Sequence, residues 1–183
     1  MRRAARAARR ALPAAYRATA DRRILAHIRS LPAFRAARRV ASFFAFDGEP
    51  DLAPLLGAGF RKEFFTPVIT AGAMHFAAVR PNAVLRTNEF GITEPAAIEL
   101  IDPRSLDLVL TPLVAFDTRG NRLGVGAGFY DRCFRFLLQR RHWYHPKLVG
   151  TAYALQEKPA FTPNVWDVPL WAAVTEQGIR RFR

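Results

Sequence analysis

The residues that most often carry covalent or metal chemistry are scarce in this chain. Cys133 is the single cysteine, so no disulfide can close within the chain and a reducing cytoplasm is compatible. Serine occurs only at Ser30, Ser42 and Ser105, none of them on a nucleophile elbow, and Cys133 falls in an apolar helical stretch on whose inner face it is expected to pack. His142 and His145 are three apart but lack a third ligand nearby, which argues against a zinc site. No apolar run approaches the ~20 residues that cross a bilayer. Zinc-finger, RNP and KH-like strings are missing as well. Acids are few, 15 against 28 basic residues, which leaves a net charge of +13.

The positive excess is nearly all arginine, since Lys62, Lys147 and Lys158 are the only lysines. Forked guanidinium donors suit phosphates and carboxylates, so the charge favours anionic partners. A solvated surface and nucleic-acid binding explain the same composition, and composition does not separate the three. At 183 residues, half of them hydrophobic, the chain is long enough for one domain with a full core. The first twenty residues hold no acid, and five of the first ten are arginine. That pattern fits a transit peptide or a basic helix of the mature fold, but not a secretory signal, because it has no apolar centre.

Helical periodicity covers 2–12 and 14–31, broken at Pro13. Strands are expected at 40–46, 64–69 and 74–79, the last two as a hairpin, with a short helix at 52–58 between the first two. After Glu94 the pattern predicts a short helix, then strands at 108–114, 148–153 and 172–175. Strands alternating with helices imply a mainly parallel sheet covered on both faces.

The densest signal is DLVLTPLVAFDTRGNRLGVGAGFYDRCF, Asp107 to Phe134. An apolar strand runs into Gly124, Gly126 and Gly128, where missing side chains let the backbone take positive φ and bring N–H groups close to an oxyanion. A helix predicted from Tyr130 to Arg141 would aim its free N–H groups at the same place. The corner therefore suits an anion beyond the carboxyl end of a strand. The spacing GxGxG is neither a dinucleotide fingerprint nor a Walker A loop.

As a whole, the string resembles the signature of the 5-formyltetrahydrofolate cyclo-ligase family, also called 5,10-methenyltetrahydrofolate synthetase, PxxAFDxxGxRLGxGxGYYDR. Pro112, Ala115 to Asp117, Gly120, Arg122 to Gly124, Gly126, Gly128 and Tyr130 to Arg132 match it, and Phe129 departs from a usual tyrosine. FFAFDGEPDLAPLL around Glu49, FGITEP at Phe90 to Pro95, LVGTAYALQ ending at Gln156, WD at Asp167 and VTE at Glu176 follow the family's order. The resemblance implies one domain over 1–183: an α/β single-domain three-layer sandwich with a mainly parallel, Rossmann-like sheet (NagB/RpiA/CoA-transferase-like). It favours the native basic helix over the transit peptide. The implied activity is ATP-dependent cyclisation of 5-formyltetrahydrofolate to 5,10-methenyltetrahydrofolate, through phosphorylation of the formyl oxygen and attack by N10. Such chemistry needs alignment and charge neutralisation more than a protein nucleophile.

The resemblance also assigns residues. Arg122 and Tyr130 are the implied catalytic pair. ATP is expected on Arg2, Arg6 and the run Arg122, Leu123, Gly124, Val125, Gly126, Ala127, Gly128, Phe129 and Tyr130. The family's basic position before Arg2 falls ahead of Met1. Folate is expected on Phe44, Glu49, Val125, Gly126, Phe129 and Tyr130, with Glu49 accepting hydrogen bonds from the pterin ring and Asp47 as its competitor. Mg²⁺ is expected on Asp131 and Asp167; a further acidic position of some members is Trp171 here. Each has a plainer reading: Arg122 paired with Asp117 or Asp131, Asp131 and Glu49 as helix-opening acids, Phe44 as core. The expected partners are folate, with a polyglutamate tail as one form, and ATP, acting on a monomer in the cytoplasm, with no membrane or nucleic-acid partner. The alternative function is a non-catalytic or RNA-binding descendant of the fold.

Overall fold

The computed structural model describes residues 1–56, 61–80, 83–88, 91–139 and 145–182. Its centre is an eight-stranded sheet of β1 (Arg39–Ala41), β2 (Glu63–Thr70), β3 (Ala73–Val79), β4 (Leu100–Ile101), β5 (Leu108–Pro112), β6 (Lys147–Thr151), β7 (Ala172–Thr175) and β8 (Gly178–Arg181), ordered β8-β7-β6-β5-β1-β2-β3-β4. Neighbours from β7 through β2 run parallel, and β8, β3 and β4 add antiparallel edges.

Side-chain alternation along the parallel strands builds two cores at once. Val40, Leu108, Leu110, Val149, Ala172 and Val174 face one cluster, while Ala41, Val109, Leu148 and Ala173 face the other. Strands buried on both faces must be apolar throughout, which is why they read as unbroken runs. Helix α2 (Ala14–Ser30) covers the first face through Ala20, Ile24 and Ile28, one turn apart. It stops where Leu31 turns extended ahead of Pro32, and that proline opens the short α3 (Pro32–Ala36), an element with too few residues for a periodic signal. Helix α5 (Phe129–Phe134) covers the second face with Phe134. Cys133 packs there too, as expected, and burial pushes its thiol up to about 11, so it stays protonated and inert.

The basic helix α1 (Arg2–Arg10), the break at Pro13 and the β2–β3 hairpin match the sequence reading. Four expectations are corrected. The strand read at 40–46 ends at Ala41, because the chain leaves the sheet for a turn in which Asp47 and Gly48 both have positive φ, 54° and 76°. The helix read at 52–58 is α4 (Ala53–Leu56), and Ala58 lies outside the described residues. After Glu94 there is no helix of the kind expected: Thr93–Pro95 pairs with Leu85–Thr87, β4 joins the sheet, and a single 3₁₀ turn (Pro103–Ser105) follows, capped by Asp102. Pro95 removes a donor that a helix interior would need, and Pro103 takes the first position of the 3₁₀ turn. The helix read at Tyr130–Arg141 is α-helical only to Phe134 and continues as 3₁₀ over Arg135–Gln139; Arg141 is outside the described residues.

Parallel neighbours deliver their following loops to the same edge of a sheet. Residues 42–49 leave β1 and residues 113–128 leave β5 on that shared edge. A small ribbon of 115–117, 122–123 and 157–158 stiffens the second loop. Asp117 closes its turn, accepting from the backbone N–H of Arg119 and Asn121 at 2.9 Å each.

Candidate active site

The glycine loop forms one wall of a cleft of about 580 Å³. Gly126 and Gly128 have φ of 115° and 66°, whereas Gly124 does not need positive φ; a Cβ at Gly124 or Gly126 would meet nothing within 4 Å. Their backbone therefore lies open to a ligand, the close approach that glycine permits. Helix α5 has six residues, too short for the dipole the sequence reading invoked. Positive charge comes instead from Arg2, Arg122, Arg132 and Arg135, all lining the cleft, with Asp131 and Asp167 as its acids.

Arg122 is 7% exposed. Its Nη2 donates to Asp131 Oδ1 at 2.6 Å and its Nη1 donates to the carbonyl of Val168, while Val168 N–H donates to Asp131 Oδ1 at 3.0 Å. This triangle joins the glycine loop, α5 and the chain before β7. Burial works against the arginine's charge and Asp131 supports it. Of the two pairings open in sequence, Asp131 is thus the partner, and Asp117 is taken up by its own turn. Asp131 does not cap α5, because Gly128 is the cap residue and no side chain bonds there. Asp167 accepts from Asn164 N–H at 2.8 Å through Oδ2.

Other candidate residues gather around α1 and the 47–49 turn. Arg2 Nε reaches the Gly124 carbonyl at 3.0 Å. Arg6 pairs with Asp47, Nε to Oδ2 at 2.7 Å, and does not line the glycine loop's cleft. Asp47 also takes Arg9 Nη2 at 3.0 Å and faces Arg10 Nη1 at 3.4 Å. With three guanidiniums on it, Asp47 has little left for a substrate. Glu49 keeps more freedom: its Oε2 accepts from Phe46 N–H at 3.2 Å and its Oε1 lies 3.7 Å from Arg9 Nη1. Glu49 opens no helix; the acid at the start of α4 is Asp51, which accepts from Ala53 N–H at 2.9 Å. Burial pushes the Glu49 carboxyl up to about 7, against the pull of Arg9.

Tyr130 lies within electrostatic reach of both Glu49 and Arg122. Its hydroxyl is buried and has no hydrogen-bond partner among the described residues. Burial, and then the nearby Glu49 charge, raise it far above the ordinary phenol value, so it remains a donor at neutral pH. An orphaned buried donor costs free energy unless a ligand meets it. Phe129 is half-buried against the second core and covered by the Arg132 guanidinium at 5.0 Å. Phe44 is half-buried beside the turn, and Val125 is exposed on the loop. His145 Nδ1 lies 3.2 Å from the Asp107 carbonyl, and His142 is outside the described residues; no cluster of three potential metal ligands occurs among those described.

Sequence reasoning missed Arg9, Arg132, Arg135, Asn164 and Trp166. Arg9 had a usable signal, because Arg2, Arg6 and Arg9 follow i, i+4, i+7 on one helical face. Trp166, which also lines the cleft, had one in the WD pair it forms with Asp167.

The sequence model of the 5-formyltetrahydrofolate cyclo-ligase family matches residues 1–176. The chain belongs to this family. It is 35% identical to the 5-formyltetrahydrofolate cyclo-ligase of Haemophilus influenzae over 161 residues, 83% of each chain. It is 39% identical to the Escherichia coli K12 enzyme of the same name over 146 residues, 76% of this chain and 78% of the other. Among solved structures, the Aquifex aeolicus 5,10-methenyltetrahydrofolate synthetase matches with a TM-score of 0.83 and 33% identity, covering 100% of this chain and 91% of that one. A Mycoplasma pneumoniae synthetase at 21% identity and TM-score 0.74 supports the fold alone. The mixed α/β fold with a mainly parallel sheet is thereby that of the cyclo-ligases.

Proposed function

We propose that residues 1–183 act as one 5-formyltetrahydrofolate cyclo-ligase domain that uses ATP to make 5,10-methenyltetrahydrofolate, ADP and phosphate. The observation that carries this reading is Arg122, buried behind open glycine backbone and held by Asp131 in an arginine-lined cleft. The formyl oxygen is a poor leaving group as hydroxide. It attacks the γ-phosphorus, the bond to ADP breaks, and the formyl carbon becomes activated as its phosphate ester. The N10 lone pair then attacks that carbon, the N10 proton is lost and phosphate departs.

Arg122, Arg2 and the Leu123–Gly128 backbone offer donors to the triphosphate, and Arg122 meets the charge that builds on the transferring group. Glu49 can accept two parallel hydrogen bonds from a pterin ring, and Tyr130 can donate to the formyl or transferring oxygen between the two halves. Phe44, Val125 and Phe129 complete the folate wall by this reading, and Arg6 holds Asp47 in place beside Glu49. Asp131 Oδ2 and Asp167 Oδ1 carry no hydrogen bond among the described residues. Two such free carboxylate oxygens in one phosphate-sized cleft fit a hard cation, so Asp131 and Asp167 would hold Mg²⁺, which supplies charge neutralisation on the phosphates. Both half-sites come from one chain, which supports a monomer. The lone cysteine and the lack of a membrane-length apolar helix among the described residues support a cytoplasmic setting.

Mixing the protein with 5-formyltetrahydrofolate, Mg²⁺ and ATP is expected to produce the methenyltetrahydrofolate absorbance with one ADP and one phosphate per turnover. Turnover without nucleotide, or release of AMP, overturns the phosphorylation step. Asp131→Asn is expected to raise the Mg²⁺ concentration needed for half-maximal rate while folate affinity stays near the parent value. An unchanged Mg²⁺ requirement removes Asp131 from the cation site.

A further inference from the structure

Helix α1 buries only Ala5 and Arg9, so it is held by charge rather than by an apolar face. Arg9 has no exposed surface. A buried guanidinium must find acceptors for its fork or cost several kcal/mol. Its Nε donates to the Asp47 carbonyl at 3.1 Å, its Nη2 to Asp47 Oδ2 at 3.0 Å and its Nη1 to the Leu113 carbonyl at 3.1 Å. Those three bonds clamp the 47–49 turn, which follows β1, to the end of β5. The same Nη1 stands 3.7 Å from Glu49 Oε1, too long for a hydrogen bond but close enough for charge to act.

Among the described residues, few charged and titratable groups surround Glu49. Arg9 and Arg6 approach from α1, Asp47 lies on its own turn and Tyr130 approaches from α5, with the Phe46 N–H on Oε2. Arg6 and Arg10 bond or face Asp47 and offset its charge. Arg9 is therefore the main group that opposes burial and favours an ionised Glu49.

We propose that Arg9 is a positioning residue of the folate half-site: without touching substrate, it fastens the Asp47–Glu49 turn to the end of β5 and biases the Glu49 carboxyl toward its charged form. This rests on the reading of Glu49 as the pterin acceptor. The role is distinct from that of Arg2 at the other end of α1, which faces the glycine loop.

The test is a double-mutant cycle on folate and Mg–ATP binding across pH, with Arg9→Gln, Glu49→Gln, the pair of changes together, and Arg9→Lys. Arg9→Gln is expected to weaken 5-formyltetrahydrofolate about 10-fold near neutral pH and to move the midpoint of its pH-dependent binding upward by about one unit, because a cation that favours the carboxylate is gone. Affinity for Mg–ATP should change less than about 2-fold. In the Glu49→Gln background the Arg9 change should add almost nothing to the loss of folate affinity. Arg9→Lys, which keeps the charge, should return the midpoint toward the parent value. It carries the same cycle if Arg9→Gln does not fold.

Additive losses in the double variant, or an unmoved midpoint, overturn the proposal while leaving Glu49 in place. Equal losses of folate and ATP affinity also overturn it, since they show α1 undocking as a whole. Folate binding unchanged by Glu49→Gln alone marks the failure of the underlying Glu49 reading, and the Arg9 role falls with it.

Discussion

Arg122→Ala is expected to lower kcat by roughly 10²-fold or more, with a smaller change in folate KM, as for removal of a donor that acts on transition-state charge. The same truncation has a structural cost. It removes the bonds to Asp131 and to the Val168 carbonyl and leaves a partly buried carboxylate without its cation. Breaking such a pair costs about 3 kcal/mol, or roughly 5–10 °C in Tm for a chain of this size. Arg122→Lys separates the two effects, because an ammonium can keep one bond and the charge but cannot span both partners. A lysine variant that melts near the parent yet turns over at least ~10-fold slower supports a role in the chemistry. Full activity in a folded alanine variant would return Arg122 to a purely structural pairing.

Glu49→Gln should trade function for stability. Burial raises the Glu49 carboxyl from its ordinary 4.5 to about 7, so below about pH 4.5 folded and unfolded chains both carry it neutral. Between 4.5 and 7 the unfolded chain ionises first, the folded state holds the extra proton, and stability falls as pH rises. Above 7 the loss is complete, at roughly 3 kcal/mol for this shift. Glutamine carries no such cost. Melting curves of parent and variant should therefore converge toward pH 4 and separate up to pH 8, the variant being the more stable. Folate binding should behave in the opposite sense. Parent affinity should rise as pH passes through about 7 and the carboxylate becomes a full acceptor, while the variant binds weakly, on the order of 10²-fold worse above pH 7, with no rise. Parallel melting curves would show that the Glu49 carboxyl titrates alike in the folded and unfolded chains, and a pH-independent parent affinity would remove it from the folate site.

Much of this protein is legible in local sequence because its signals are short and periodic. The buried parallel strands show as apolar runs, the β2–β3 hairpin as two such runs around Ala71-Gly72, and the anion corner as glycines between Arg122 and Asp131. Local pattern failed where proline and turn chemistry override propensity, as in the segment after Glu94 and in the strand that stops at Ala41. Glu49 was favoured over its competitor Asp47 through the family resemblance alone, since nothing within a few residues distinguishes two acids flanking a glycine. Tertiary structure gives them different partners. Arg9 bonds Asp47 across 38 positions and Leu113 across 104, and only the folded path of the chain brings those atoms together. Once the arginines of α1 bind Asp47, Glu49 is left half-buried, with its carboxyl raised toward neutrality and Arg9 no nearer than 3.7 Å. The pairing of Arg122 with Asp131 rather than Asp117 was settled in the same way: Asp117 is already occupied by the N–H groups of its own turn, and Val168 returns from far along the chain to complete the other site. Residue types determine which chemistry is possible; which carboxylate remains available for it depends on partners that sequence distance hides.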